Sequence, residues 1–578
     1  MKKSGNRSIN YLIMIKNIRY SIIIGLFLFA CSSKDVRKSD VTILVDITKK
    51  KGPMAPVWAW FGYDEPNYTY MKDGKKLLSE IAELSPVPVY VRTHNLLTTG
   101  DGKPSLKWGS TNAYTEDAHG KPIYNWTISD SILSTFLKRG MRPLVEIGFM
   151  PEALSAKPKP YQHKWKPGAP YQDIFTGWAY PPKDYKKWEE LVYQWVIHCV
   201  SKYGKEEAEK WYWELWNEPN IGYWQGTIEE YMKLYDYTAH GVKKALPTIK
   251  FGGPHTTGPS WDKAEKYLRT VLDHIVSGKN YVTGETGSPI DFIAFHAKGK
   301  PTLQGDTIIL MNIGTQLRDI SKGFEIVASY PSLKNKPIII GESDPEGCAA
   351  CSVRDYPANA YRNGTLYSSY TAAAFARKYE LADHFGINFL GAVTWAFEFE
   401  DQPWFNGYRD LATNGVDKPV LNIFRMFGMM SGERVEVSGD LAYNTMIARD
   451  SSIRKKERDI NAFATVDGNK AMIMVWNYHD LNIISPPAAV DVIVKGIKAD
   501  KARIHHYLID QENSNSFTQW KKMGSPQQIS PEQYVQLEQS GKLKMMDGPG
   551  EMEVENGELK IPVSMEGQSV SLYIIDWN

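Results

Sequence analysis

The sequence is short of cysteine, of net charge and of phosphate-binding motifs. Its 578 residues hold 4 Cys and carry a formal net charge of +2. So small a charge gives no reason to expect a nucleic acid or an acidic membrane surface as partner. Neither a Walker loop nor a strand–GxGxxG–helix unit is present, so no nucleotide is expected, and no cofactor of any kind is implied. No metal is expected either: Cys348 and Cys351 form a Cys-Ala-Ala-Cys pair, but a zinc site would need two further ligands at suitable spacing. The apolar run Tyr20 to Ala30 is too short to cross a bilayer as a permanent helix. No internal repeat is visible.

That apolar run has another use. Lys16 and Arg19 precede it and it closes in Leu28-Phe29-Ala30-Cys31, which resembles a bacterial lipoprotein signal with Cys31 as the lipidated residue. An ordinary secretory signal with an incidental cysteine is the alternative, and Met14 could equally be the start. Residues 1–31 are therefore set aside as a targeting segment and 32–40 as a polar tether. The expected location is the bacterial cell envelope, on an outer-membrane lipoprotein facing periplasm or cell surface, with membrane contact through the lipid alone. In an oxidising compartment Cys348 and Cys351 read as a local disulfide. A redox-active pair would need a thioredoxin-like unit that is absent here. Cys199, in an amphipathic run, reads as a buried core thiol.

Aromatic residues are abundant, at 12% of the chain with 18 Trp and 33 Tyr. Such side chains suit flat apolar faces, sugar rings among them, although packing also uses them heavily. From about Val57 to Arg425 short apolar strands alternate with longer helical stretches. The strands are expected at Val57–Phe61, Pro88–Thr93, Arg142–Ile147, Trp211–Trp216, Ile249–Gly253, Phe292–Phe295, Pro337–Ile340 and Gly391–Phe397. Eight strand–helix units predict an α/β fold of the (β/α)8 TIM-barrel type, with a doubly wound open sheet as runner-up.

Past residue 430 the rhythm changes to short strands: Asn444–Ala448, Ala462–Thr465, Ala471–Trp476, Val490–Val494, Arg503–Leu508, Leu559–Pro562 and Val570–Ile575. These predict a C-terminal antiparallel β-sandwich. Asp510 to Gly550 reads as a polar insertion with a short helix near Pro531–Ser540. The expected division is a catalytic barrel over 41–428 and a sandwich over 429–578, with Val41–Val45 a candidate to join the sandwich.

Two strands end in a glutamate. Trp213-Glu214-Leu215-Trp216-Asn217-Glu218-Pro219-Asn220 is an apolar strand stopped by a proline, which has no N–H for the ladder. Glu218 is thereby presented at the carboxyl end of the fourth strand, where barrels place their chemistry. Beside aromatics and an asparagine its pKa is expected to rise. Pro337-Ile338-Ile339-Ile340-Gly341-Glu342-Ser343-Asp344-Pro345 repeats the pattern after the seventh strand. Two glutamates at one barrel mouth are the minimum apparatus for glycoside hydrolysis, and about 5–5.5 Å between them would mean retention through a covalent intermediate.

Together the two motifs resemble the retaining glycosidases of glycoside hydrolase family 39, which holds β-xylosidases and α-L-iduronidases. The resemblance runs from about Val41 to the end and implies a barrel followed by a β-sandwich. It implies Glu342 as nucleophile and Glu218 as acid/base, with Asn217 on the sugar 2-hydroxyl. Val91-Arg92-Thr93-His94 and Phe295-His296-Ala297-Lys298-Gly299 are similar to the iduronidase branch, implying that His94, His296 and Lys298 face the sugar. A lysine there would either bind a uronate carboxylate or pair with an acidic side chain.

Trp395 is expected as a platform under the sugar ring, with Glu400 and Asp401 as acidic contacts after the eighth strand. Trp58, Trp60 and Trp404 are weaker platforms. The chain departs from the iduronidase branch where an Arg is expected after strand 8, Arg409 lying nearby without matching. It departs again in Glu346-Gly347-Cys348, which replaces a Gly-Trp, while Asn-Gly-Val-Asp-Lys-Pro at 414–419 looks like the xylosidase ending. The expected activity is exo-acting and β-xylosidase-like, on fragments of plant or host polysaccharide. The alternatives are an iduronidase-like uronide hydrolase, an endo-acting enzyme, or a glycan-binding lipoprotein on an inactive barrel.

Overall fold

The computed structural model describes residues 39–165, 169–454, 457–483 and 485–577. The targeting segment and Cys31 lie outside the described residues. Eight parallel strands form the first sheet: β1 (Trp60–Tyr63), β2 (Tyr90–Thr93), β3 (Arg142–Ile147), β4 (Tyr212–Leu215), β5 (Lys250–Thr256), β6 (Phe292–Phe295), β7 (Ile338–Ile340) and β8 (Phe389–Ala392). Each pairs with the next in chain order. The barrel closes where Gly62 donates to the Thr394 carbonyl and Thr394 donates to that of Trp60, both at 2.9 Å.

Helices follow the strands because the chain supplies both amphipathic faces and starts. Asp184 caps the helix Tyr185–Tyr203 by accepting from the N–H groups of Lys186 and Lys187. Thr227 and Glu230 form a reciprocal capping box at the head of Ile228–Ala245, the device that satisfies two orphan N–H donors at once. On β4 the pleat sends Trp213 outward to meet Trp195 of the first of these helices edge-on, at 5.3 Å between rings. Glu214, the residue between Trp213 and Leu215, then faces the other way, into the barrel.

The second sheet has nine strands, in the spatial order Lys544–Glu553, Lys501–Ile509, Ser569–Asp576, Lys470–Tyr478, Asp459–Asp467, Glu433–Gly439, Val41–Pro53, Ala488–Lys495 and Glu558–Met565. It is not purely antiparallel: Val41–Pro53 runs antiparallel to Glu433–Gly439 but parallel to Ala488–Lys495. Strand Lys470–Tyr478 is buried on both faces. Ala471, Ile473 and Val475 close a core with Val41, Ile43, Val45, Val490 and Val492, while Met472, Met474 and Trp476 belong to the barrel's own core. The helix Thr365–Phe385 lies against this second face, with Tyr370 and Tyr478 edge to face at 5.9 Å.

Three expectations fail locally. Asn444–Ala448 is not a strand: the Asn444 side chain accepts from the Met446 N–H at 2.9 Å and starts the helix Thr445–Ser451. The eighth barrel strand stops at Ala392, so Trp395 lies beyond it rather than within it. The stretch expected as an insertion does hold the helix Pro531–Gly541, but also the mostly exposed strand Lys544–Glu553. Its Asp-Gly-Pro-Gly interior disguises it, and a proline is tolerated because this strand lies at the sheet edge.

Candidate active site

Glu218 and Glu342 meet at the carboxyl end of the barrel. Glu218 follows β4 on a strained turn, with Trp216 at φ 66° and Glu218 at φ 44°. Such left-handed conformations cost non-glycine residues about 1–3 kcal/mol each. The Glu218 N–H is anchored on the His255 carbonyl at 2.9 Å. One oxygen of each carboxylate and a ring nitrogen of His296 lie within 4.8 Å of one another.

Lys298 stands between the two acids, its Nζ 3.1 Å from Glu218 Oε1 and 2.5 Å from Glu342 Oε2. Three groups this close have a spacing that could hold a cation, but the ammonium already supplies the neutralising charge at this point. Burial pushes the pKa of Glu218 up, and the charge of Lys298 pulls it the other way, below the usual carboxylate range. Burial opposes Lys298 at Glu342 too, and there the carboxyl is held well below the usual range. The expected rise at Glu218 is thus reversed in this arrangement, because the aromatic surroundings also deliver a lysine.

Beneath the pair the barrel centre is ionic. Arg92, fully buried, donates through Nε to Glu214 at 2.5 Å, through one terminal nitrogen to Glu342 at 3.3 Å, and through the other to Glu146 at 2.8 Å and Asn217 at 3.1 Å. His94 bridges the same set, with Nδ1 2.5 Å from Glu146 and Nε2 3.4 Å from Glu342. Burial alone would lower the pKa of His94, and Glu146 raises it to about 9. His94 is thereby held as a cation beside Glu342. On the far side His296 Nδ1 is 2.9 Å from Glu218 Oε1, and burial lowers its pKa to about 4.

A cavity of about 740 Å³ opens above, lined by Glu218, Glu342, His94, Asn217, Lys298 and Trp395 among others. That is within the ~300–1,000 Å³ range of ligand pockets. His296 is fully buried and is not in the lining; its Nδ1 sits behind Glu218, against Oε1. Trp395 is held from below by Arg92, 4.9 Å from its ring, and by the His94 ring at 4.4 Å.

Glu400 and Asp401 are not among the lining residues. Glu400 instead accepts from the Asp73 N–H at 3.1 Å, at the start of the helix Lys72–Leu84. Asp401 is an exposed turn residue at φ 60°.

Several residues of the site were not singled out from sequence. Arg92, Glu146 and Glu214 are charged residues inside buried strands, and that interruption is the signal that could have found them. Lys107, paired with Asp64 at 3.0 Å, lines the cavity from the loop after β2. One wall is the disulfide Cys348–Cys351, whose Cα atoms are 5.5 Å apart. Arg362 clamps it, donating to the carbonyls of Cys348 at 2.7 Å, Cys351 at 2.9 Å and Ala349 at 3.3 Å. Arg409, also fully buried, donates to the Trp395 carbonyl at 2.7 Å and to the Glu346 carboxylate at 2.5 Å.

A closed eight-stranded α/β barrel with two glutamates at the carboxyl ends of its fourth and seventh strands defines a glycoside hydrolase. The chain belongs to the family described as "Glycosyl hydrolases family 39", whose model matches residues 41–550. Among curated relatives, a β-xylosidase of Caldicellulosiruptor saccharolyticus is 28% identical over 433 residues, covering 72% of this chain and 76% of that protein. An α-L-iduronidase of Canis lupus familiaris is 25% identical over 314 residues, covering 52% of this chain and 41% of that protein. The fold is similar to that of a monomeric β-xylosidase from Caulobacter crescentus, with a TM-score of 0.70 at 20% identity, covering 93% of this chain and 99% of the other. The protein is accordingly a glycosidase that hydrolyses glycosidic bonds.

Proposed function

We propose that the protein is an exo-acting, retaining glycosidase of β-xylosidase-like specificity, cutting short fragments of plant or host polysaccharide. The observation that carries this reading is the carboxylate pair, whose nearer oxygens lie within 4.8 Å of each other. So close an approach is nearer to the ~5–5.5 Å separation of retaining enzymes than to the ~6.5–9.5 Å that an inverting mechanism uses to seat its water. Glu342, kept ionised by Lys298 and His94, attacks the anomeric carbon and forms a glycosyl ester. Glu218 protonates the departing oxygen and then takes a proton from the water that releases the sugar. Trp395 supplies the face on which the ring rests, and Asn217 the contact to its 2-hydroxyl. A cavity of this size fits the end of an oligosaccharide better than the middle of a long chain.

A neutral sugar is favoured because the buried cations of the site are engaged: Lys298 by both carboxylates, Lys107 by Asp64 and Arg409 by Glu346. One observation favours a uronide as second reading. Lys298 lines the cavity, where a substrate carboxylate could compete for its ammonium. Lipidation at Cys31, with anchorage at the outer membrane, is part of the proposal and rests on the leader sequence; radiolabelled palmitate incorporated by the wild type and absent from Cys31→Ala would test it.

The activity is tested with 2-deoxy-2-fluoro-β-D-xylosyl fluoride, followed by intact-mass measurement and peptide mapping. One adduct on Glu342 is expected. Labelling at another residue would end the assignment. Absence of any adduct or turnover across aryl β-xylosides and α-L-iduronides would favour a glycan-binding protein.

A further inference from the structure

Behind the acid/base lie three buried side chains that the reaction as described does not use, and with Glu218 they form a file of four. Glu214 on β4, His255 on β5, His296 after β6 and Glu218 are joined end to end and are nearly or wholly shielded from solvent. Glu214 Oε2 touches His255 Nε2, and neither atom has another hydrogen-bond partner among the described residues. His255 Nδ1 is 3.4 Å from His296 Nε2, and His296 Nδ1 is 2.9 Å from Glu218 Oε1. The rings come this close because residue 341 is a glycine: a Cβ there would stand 2.1 Å from His255 Nδ1 and 3.1 Å from His296 Nε2.

The file has three gaps and each needs one hydrogen. Glu214 is held ionised by Arg92 at 2.5 Å, so it can only accept. Burial keeps both imidazoles neutral, with one hydrogen each. His255 must then carry its hydrogen on Nε2, toward Glu214, leaving Nδ1 bare. His296 must answer with a hydrogen on Nε2, leaving its own Nδ1 bare toward Glu218. Two neutral rings fill two gaps, and the third is filled only if Glu218 brings the hydrogen.

We infer that Glu214 and His255 are positioning residues that fix the tautomer of His296, so that the acid/base meets a ring lone pair instead of an N–H. His296 lowers the pKa of Glu218 only when it carries a hydrogen on Nδ1; with Nδ1 bare the same contact favours the protonated acid. The lone pair therefore opposes the pull of Lys298 and keeps the carboxyl protonated at rest; when substrate binds, the O–H turns from His296 toward the glycosidic oxygen and delivers its proton there. Once that proton has gone to the glycosidic oxygen, ionised Glu218 faces the lone pair and takes a proton back from water. The two imidazoles keep their hydrogens throughout; Glu218 alone in the file gives and regains a proton. The other charged or titratable groups around it are Arg92, Glu146 and the Tyr231 hydroxyl near Glu214, and Lys298 and Glu342 near Glu218.

The inference rests on the retaining-glycosidase reading, and its test separates the two. The variants are His255→Phe, which cuts the file, and Glu214→Gln, which keeps its shape but can donate as well as accept. With phenyl β-D-xyloside, which needs the acid, the upper pH limb of kcat/KM should move down by about one pH unit or more in both. With 2,4-dinitrophenyl β-D-xyloside, which does not, the profile should stay in place. Equal losses on both substrates without a moved limb would mean a structural role and overturn the inference. Independently of any turnover, ring-nitrogen NMR of the wild type should find the hydrogen of His255 and His296 on Nε2 in both. A hydrogen on Nδ1 of His296 would overturn the tautomer assignment even in an active enzyme. An inactive wild type with the expected tautomers would instead sink only the xyloside reading.

Discussion

The indole of Trp395 lies over Gly62, and the missing Cβ is what admits it: a methyl at residue 62 would stand 2.4 Å from two ring carbons. The ring cannot retreat easily, because Arg92 and His94 pack on it. Gly62→Ala should therefore push the platform into the sugar position. The expected result is a KM for aryl glycosides raised about tenfold or more, with a Tm within a few degrees of wild type. Unchanged kinetics would remove Trp395 from the sugar site.

Arg92, itself fully buried, neutralises Glu146, Glu214 and Glu342. Removing one partner of a buried ion pair costs about 3–5 kcal/mol, because the other is left charged in a low dielectric. Arg92→Met should lower stability by at least that amount in urea unfolding and abolish turnover. Leu144→Ala on the neighbouring strand, a cavity mutation in the same barrel, should cost a similar 2–5 kcal/mol but leave the ionic centre intact. Activity surviving in Arg92→Met would show that the ionic centre is not needed.

His94 links stability to alkaline pH. Its folded pKa, about 9, lies above the ordinary value of 6.5. A raised pKa means that the folded state holds the proton more tightly. The stabilisation is therefore complete below about pH 6.5 and lost as pH climbs through about 9. For a fully buried group this amounts to about 3 kcal/mol. Between pH 6 and 10 the wild type should lose about that much more stability in urea than His94→Gln. Parallel losses in the two would show that His94 is neutral in the fold.

The loop at Cys348–Cys351 is held twice. Closing so short a loop by a disulfide contributes about 2 kcal/mol by chain entropy, whereas Arg362 makes hydrogen bonds to three carbonyls of the same turn. The double variant Cys348→Ser, Cys351→Ser should keep its fold and lose at most that amount. Because the pair lines the cavity, KM should change more than kcat. Arg362→Met should cost more than the disulfide; the reverse order would show that the covalent link carries the loop.

Glu400→Gln provides the contrast. Its side chain caps a helix outside the cavity, so activity should stay within twofold of wild type. A loss of tenfold or more would return it to the site.

What the sequence disclosed of this site follows from where local chemistry is informative. Glu218 and Glu342 stand out because proline and glycine punctuate the strands beside them, and Lys298 because an exposed-type residue sits two positions after a histidine at a strand end. Trp395 was legible as an aromatic near the eighth strand although that strand ends earlier than its hydrophobic run. His255 was not, since the strand expected over Ile249–Gly253 stops short of it at a proline, whereas the strand of the fold runs on to Thr256. Its place is set by Glu214, His296 and Gly341, residues on three other segments. Glu400 and Asp401 misled in the opposite direction: an acidic run at a barrel end looks functional until a helix start claims it. The same blindness to distant partners hid the parallel pairing of Val41–Pro53 with Ala488–Lys495, which no periodicity announces.

That pairing bears on how the molecule is made. The strand Val41–Pro53 is made before every other described strand, yet its two neighbours in the sheet are Glu433–Gly439 and Ala488–Lys495. For most of synthesis it is an apolar strand with nothing to pair with, and such long-range pairing is slow and exposed to aggregation. Moving residues 41–53 behind residue 577, with a linker and with the barrel's first strand as the new start, would have the strand made after both of its partners. Such a permuted gene should give more soluble protein from the same expression, with the barrel's chemistry unchanged.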